Sequence, residues 1–281
     1  MSAKRQEGSR LKDAEQGQVN LRLDVPHSAR VYDCILGGKD NYQPDREAAK
    51  AMMAEWPALP IHMQANRYFM NRVGHYLAAK EGIRQFLDIG TGLPTEPNLH
   101  EVVQRVDPAS RIVYVDNDPI VLTHARALLA SSDEGMTNYV DADMRDPESI
   151  ITAPEFTETL DLDRPVALTV IAMVHFLLDE DDAYGIINRL LEPLCPGSFL
   201  AMSIGTADFA PDEVHRVARE YEARGMPMRL RNRAEAERFF DGMDLVEPGV
   251  TQVHHWHPHP NAVGTVNDAD IAMYGGVARK R

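Results

Sequence analysis

Short, unbroken apolar runs recur along this chain, separated by segments with helical spacing. Residues 86–89, 111–116, 164–175 and 198–203 are apolar on both faces, the pattern of parallel strands covered on two sides. Residues 138–140 give a shorter run that passes into a polar turn at 141–147. Helical spacing holds over 61–79 and 120–129. A further helix opens near the acidic run Asp179-Glu180-Asp181-Asp182, where acids favour the helix dipole; this run is read as a cap and a solvated face, not as a metal site. The order β, α, β, α, β, β, α, β predicts a parallel α/β sheet with right-handed crossovers. Residues 211–225 predict an amphipathic helix and 234–240 a shorter one, both expected to cover the sheet. Residues 250–259 and 271–277 read as an antiparallel pair that closes it.

Composition narrows the class. The 281 residues are 44% apolar, enough for a full core. Two cysteines, Cys34 and Cys195, supply neither a disulfide framework nor a metal pattern, which fits the reducing cytoplasm. Residues 1–27 are polar, lack the apolar core of a signal peptide and are expected to be a disordered leader. No stretch reaches membrane-spanning length. The net charge of −14 argues against a nucleic-acid partner, which needs a basic face. A small-molecule or protein acceptor suits the acidic surface better. Oligomeric state is not encoded legibly.

The first strand ends in Asp88-Ile89-Gly90-Thr91-Gly92-Leu93-Pro94-Thr95. Gly90 and Gly92 allow unusual backbone angles and close approach by a ligand, at the strand end where open α/β sheets bind ligands. A dinucleotide fingerprint needs a third glycine where Thr95 stands. Pro94 and Pro97 delay the next helix, and the Asp88 carboxylate would repel a phosphate. It suits a cationic group instead, such as an amino-acid ammonium. The second strand ends in Asp116, beside the glycine turn, where an acid can accept from ribose hydroxyls; Asp118 before Pro119 is the better helix cap.

The pattern acid-x-Gly-x-Gly resembles the first motif of class I S-adenosylmethionine-dependent methyltransferases. More extensively, the chain resembles an actinobacterial family of such methyltransferases, formerly a domain of unknown function. The blocks that carry this are 29–42 (ARVYDCILGGKDNY), Ala65-Asn66-Arg67, 85–95 (QFLDIGTGLPT), 113–119 (VYVDNDP) and 274–280 (YGGVARK). Where the family commonly has Leu-His-Phe after the fourth strand, this chain has Val174-His175-Phe176.

The resemblance implies a Rossmann-like fold. Its sheet is seven-stranded and mostly parallel with an antiparallel terminal strand, it carries helices on both faces, and an N-terminal helical lid precedes it. Residues 28–80 would be the lid and 81–281 the S-adenosylmethionine-binding domain. The implied cofactor contacts are Asp88, Gly90, Thr91 and Gly92 at the turn, Asp116 and Asn117 at the ribose, Asp143 and Met144 at the adenine, and Ala172 near the methyl donor. Arg67 would face the methionine carboxylate, its alternative being a surface helix arginine. Tyr32, Lys39, Asn41 and Tyr42 form the expected acceptor-side set; the alternative is that the glycines at 37 and 38 simply end a helix.

A general base helps only when the acceptor is a neutral hydroxyl or an ammonium. His175 is the candidate base and Tyr32 the second, the alternative for His175 being a core histidine bonded to backbone. The histidines at 254, 255, 257 and 259 are read as no metal site, since neighbours on a strand point to opposite faces. The leading function is therefore methylation of a small molecule at oxygen or nitrogen. A non-catalytic S-adenosylmethionine-binding regulator is the alternative, and a nucleotide-dependent oxidoreductase ranks third.

Overall fold

The computed structural model describes residues 21–128 and 131–281. Five strands run parallel: β1 (Gln85–Ile89), β2 (Arg111–Asp116), β3 (Met136–Asp141), β4 (Ala167–Ile171) and β5 (Phe199–Gly205). Two short strands, β6 (Asp244–Leu245) and β7 (Thr251–Gln252), and the long β8 (Met273–Arg279) follow. The order is β3-β2-β1-β4-β5-β8-β6, and β7 also pairs with β8. β8 is antiparallel to β5, and β6 and β7 are antiparallel to β8. The chain reverses direction across the sheet beside β1, which opens a crevice at the carboxyl ends of β1 and β4.

The expected seven strands become eight because one edge position is split. β6 meets Ala278 and Arg279, while β7 meets Tyr274 and Gly275. Pro248 and Gly249, the latter at φ +79°, interrupt the edge between them, as proline and glycine do. The strand expected over 250–259 is thus two residues long and turns into a single 3₁₀ turn at Val253–His255.

Alternate strand residues face opposite layers. Leu87, Val113, Leu168 and Leu200 pack with Phe156, Ile186 and Phe239. These come from α7 (Pro154–Thr159), α8 (Ala183–Leu191) and the turn after α10 (Arg233–Glu237). α6 (Pro147–Ile151) contributes Ile150 to that layer. Phe86, Ile112, Ala167 and Ala201 pack with Phe69, Leu77, Leu99 and Trp256. Here the cover is α3 (Leu59–Ala79) and α4 (Leu99–Gln104).

A separate cluster joins α1 (Ser28–Ile35), α2 (Gln43–Glu55) and the start of α3 to α9 (Pro211–Glu222). Val31, Ala49, Met52 and Trp56 bury against Val214, Val217 and Tyr221. The helix expected to cover the sheet at 211–225 therefore packs on the N-terminal helices instead, and its apolar stripe serves a roof rather than a sheet face. Of the expected leader, residues 1–20 lie outside the described residues; in the rest, residues 22–25 are exposed, Leu21 lies on Leu93 and Ile120, and Arg30 Nη2 donates to Val25 O at 3.0 Å. Among the described residues no helix is long and apolar enough to cross a membrane.

Candidate active site

The glycine turn is held from β2. The amides of Gly90 and Thr91 donate to Val115 O at 2.8 and 3.2 Å, and Gly92 N donates to Asp116 Oδ2 at 2.9 Å. Gly90 and Gly92 have φ of +73° and +68°, a region that costs other residues roughly 1–2 kcal/mol. Gly90 has a second reason to be glycine: a Cβ there would lie 2.2 Å from Met173 Sδ. The other oxygen of Asp116 accepts from Asp118 N at 2.9 Å. Asp118 Oδ1 accepts from Ile120 N at 2.8 Å, and so caps α5 (Pro119–Leu128).

Asp88 sits in register with Tyr114 of β2 and Thr169 of β4. Thr169 Oγ1 donates to Asp88 Oδ1 at 2.5 Å. Burial pushes the Asp88 carboxyl up to about 6, against the opposing pull of that bond and of the nearby Arg67 charge. Burial also raises the carboxyl of Asp116.

Two adjoining cavities of about 170 Å³ and about 550 Å³ meet at Gly90, Asp116, Asn117 and Met173. Every expected cofactor residue lines one or both. Arg67, Asp88, Thr91, Gly92 and Ala172 line the first, and Asp143 and Met144 the second. Ala172 adopts φ +57°, a strained backbone fixed by its amide donating to Ser203 Oγ at 2.8 Å. Asn117 Nδ2 donates to Asp143 Oδ2 at 3.0 Å, tying the two sides of the second cavity together. Arg67 Nη2 donates to the carbonyls of Thr95 at 2.6 Å and Pro97 at 3.0 Å. It is therefore no surface arginine; it braces the loop behind the glycine turn.

The acceptor-side expectations divide. Tyr32 lines the first cavity, but its hydroxyl donates to Met63 O at 3.0 Å and accepts from Asn66 Nδ2 at 3.1 Å. With burial raising its pKa, it is a poor base. Lys39, Asn41 and Tyr42 do not line the cavity. Lys39 is exposed, Asn41 Nδ2 donates to Asp33 Oδ2 at 2.8 Å, and Tyr42 packs on Leu93 and Ile120. Those residues shape the α1–α2 connection.

His175 lines the cavity from the 3₁₀ turn after β4. Its Nδ1 accepts a long bond from Gly205 N at 3.4 Å. The proton therefore resides on Nε2, which makes that nitrogen a donor rather than a base. Burial, with His62 and Arg231 nearby, pushes its pKa down to about 3.

The sequence reading did not select His62 as a site residue, yet it is built the same way. His62 Nδ1 accepts from Ala272 N at 3.2 Å, and burial lowers its pKa to about 4. Asn66 also went unselected. It is 1% exposed, lines the first cavity, and its Oδ1 has no partner among the described residues. The amide orientation is set because Tyr32, already a donor, can only accept from Asn66. His62 and Asn66 stand four residues apart within an apolar stripe of α3, a polar pair at helical spacing that could have been noticed.

The histidine cluster departs from its expected geometry. His254 and His255 lie on a turn, not a strand, and their Nε2 atoms reach the same Asp268 Oδ1 at 3.0 and 2.7 Å. The opposite-faces argument against a metal does not hold there; the observed contacts are hydrogen bonds to one carboxylate.

The pocket suits S-adenosylmethionine in its donor set. An orphaned buried carbonyl, Asn66 Oδ1, and the buried Asp88 carboxylate await donors beside the open backbone of Gly92. The S-adenosyl methyltransferase family matches residues 14–281. A DUF574 family protein from Streptomyces avermitilis, a solved structure, is 66% identical with a TM-score of 0.92, over 93% of this chain and 100% of that one. A candidate methyltransferase from Thermobifida fusca YX is 36% identical with a TM-score of 0.84, over 95% of this chain and 99% of that one. No curated protein matches the chain. Matched along nearly its whole length, the chain belongs to the S-adenosyl methyltransferase family and is an S-adenosylmethionine-dependent methyltransferase.

Proposed function

We propose that this methyltransferase acts on a small molecule at oxygen or nitrogen, in the cytoplasm, with its cofactor laid across the two adjoining cavities. The observation that carries this is Asp116. Its buried carboxylate holds the glycine turn and the α5 cap together where the cavities meet, with lone pairs left for ribose hydroxyls. Asp88 and the Asn66 carbonyl would take the ammonium of the methionine moiety, and Arg67 its carboxylate. Asn117, Asp143 and Met144 would take the adenine side. When bound, S-adenosylmethionine supplies an electrophilic methyl on a sulfonium.

The protein's own work is then to orient the acceptor in line with that methyl and to exclude water. The roof of α1, α2, α3 and α9 supports the exclusion. His175 acts in this scheme as a hydrogen-bond donor to the acceptor, not as its base.

Calorimetric titration of ligand-stripped protein with S-adenosylhomocysteine, with NADH as control, tests the cofactor placement. Micromolar binding of the first alone is expected, lost with Asp116→Ala. Unaltered binding by that variant would remove the ribose assignment.

A further inference from the structure

The acceptor end of the first cavity has a walled, one-sided chemistry. Trp56, Met63, Phe176, Val214, Val217 and Leu230 line it. Two imidazoles, His62 and His175, line it with them. His62 and His175 each have Nδ1 engaged by a backbone amide, from Ala272 and Gly205. Those two amides lie at neighbouring positions, since Thr206 N donates to Ala272 O at 3.0 Å. Each imidazole therefore keeps its proton on Nε2, and neither Nε2 has a hydrogen-bond partner among the described residues.

Behind His175 lies a buried cation. Arg231 is 4% exposed. Its Nη1 donates to Val174 O at 2.7 Å and its Nη2 to Leu177 O at 3.0 Å, the carbonyls that flank His175 and Phe176. Its guanidinium also lies 5.5 Å from the Phe239 ring centroid. Backbone carbonyls hold it, and it makes no ion pair with a carboxylate among the described residues. The carboxylates on the cavity wall are Asp33 of α1 and Asp88 and Asp116 at the ends of β1 and β2.

We propose that the acceptor is an apolar, ring-sized molecule with an acidic hydroxyl, of the phenol or enol class, bound as its oxyanion by the Nε2–H groups of His62 and His175 with Arg231 behind them. This rests on the cofactor placement proposed above. Two N–H donors lining the cavity and a buried positive charge beside His175 favour an oxyanion, and they oppose a cationic amine. Ionisation of the hydroxyl by solvent removes the need for a protein base. A lone pair of that oxygen forms the new O–CH₃ bond, the C–S bonding pair passes to sulfur, and the proton has already left to water.

The test uses the full chain saturated with S-adenosylhomocysteine. 4-Nitrophenol is the probe, because its phenolate absorbs separately from the phenol, and 4-nitroanisole and 4-nitrobenzylamine are the comparisons. The apparent pKa of bound 4-nitrophenol should fall by about one unit, a tenfold preference for the anion, and the two comparisons should bind at least about tenfold more weakly. His62→Asn and His175→Asn keep an acceptor for the backbone amide and remove the distal N–H. Each should lose the pKa shift while S-adenosylhomocysteine still binds. If either variant fails to fold, the wild-type comparison of the three probes decides. Uptake of neutral nitrophenol, or 4-nitroanisole or 4-nitrobenzylamine binding as tightly, overturns the proposal with the cofactor assignment intact. Failure of S-adenosylhomocysteine to bind folded wild-type protein overturns the cofactor assignment and this proposal with it.

Discussion

Arg30 Nε lies 3.3 Å from Asp118 Oδ2, and neither side chain is more than 3% exposed. The pair couples α1 to the cap of α5, two residues beyond Asp116. Asp45 stands 3.7 Å from the same Arg30 nitrogen, and His27 Nδ1 is 3.1 Å from the same Asp118 oxygen. The N-terminal helices are thus locked electrostatically to the loop that carries the ribose-side acid.

Removing one member of a buried ion pair leaves the other charge uncompensated, at about 3–5 kcal/mol. Arg30→Met should lower unfolding stability by that order in urea titration, since two buried carboxylates lose their cation. A loss under about 1 kcal/mol would show that the cluster contributes no more than a surface pair.

Asp88 has a folded pKa pushed up to about 6, above the ordinary carboxyl value near 3.9. For an acid shifted this way, its stabilising share is full below about pH 4 and is lost as pH rises through about 6. The loss amounts to roughly 2–3 kcal/mol. Asp88→Asn should therefore make ligand-free protein more stable at pH 7 and weaken S-adenosylhomocysteine binding. Equal stability of the two proteins at pH 7 would contradict the raised pKa.

His62 and His175 titrate the other way. Their folded values, about 4 and about 3, lie below the ordinary value near 6.5. Their contribution is present above about pH 6.5 and disappears as pH falls toward those values. The double variant His62→Asn/His175→Asn should unfold at lower pH than wild type, followed by near-ultraviolet circular dichroism. An unchanged acid midpoint would mean that neither imidazole is held neutral.

The two glycines of the turn should respond unequally. Gly92→Ala meets no atom within 4 Å and suffers only its positive φ, about 1–2 kcal/mol. Gly90→Ala adds a collision with Met173, so it should lose S-adenosylhomocysteine binding more severely. Equal affinities for the two variants would show that Met173 moves aside freely.

What could be read from the chain was what is contiguous in it. Asp88, Gly90, Gly92 and Asp116 end their own strands, so a local pattern carries both their place and their chemistry. Lys39, Asn41 and Tyr42 are chemical by type, yet Asn41 is taken up by Asp33 of its own segment and Tyr42 by Leu93 and Ile120, outside the cavity. His62 and His175 depend on amides 210 and 30 residues away. No periodicity announces which imidazole nitrogen a distant backbone will occupy. α9 was legible as amphipathic but not as roof, because its stripe does not say which apolar surface receives it.

The roof and the floor of this pocket are written in different parts of the chain. The floor is strand ends and the glycine turn. The roof is α1 to α3 plus α9, and it reaches the floor through Arg30 at Asp118 and Arg67 at the Thr95 and Pro97 carbonyls. Change confined to its apolar wall, Trp56, Met63, Val214 and Val217, therefore spares those polar links. A chimera carrying another member's residues at those wall positions should reshape the acceptor end of the cavity while keeping this chain's S-adenosylhomocysteine binding.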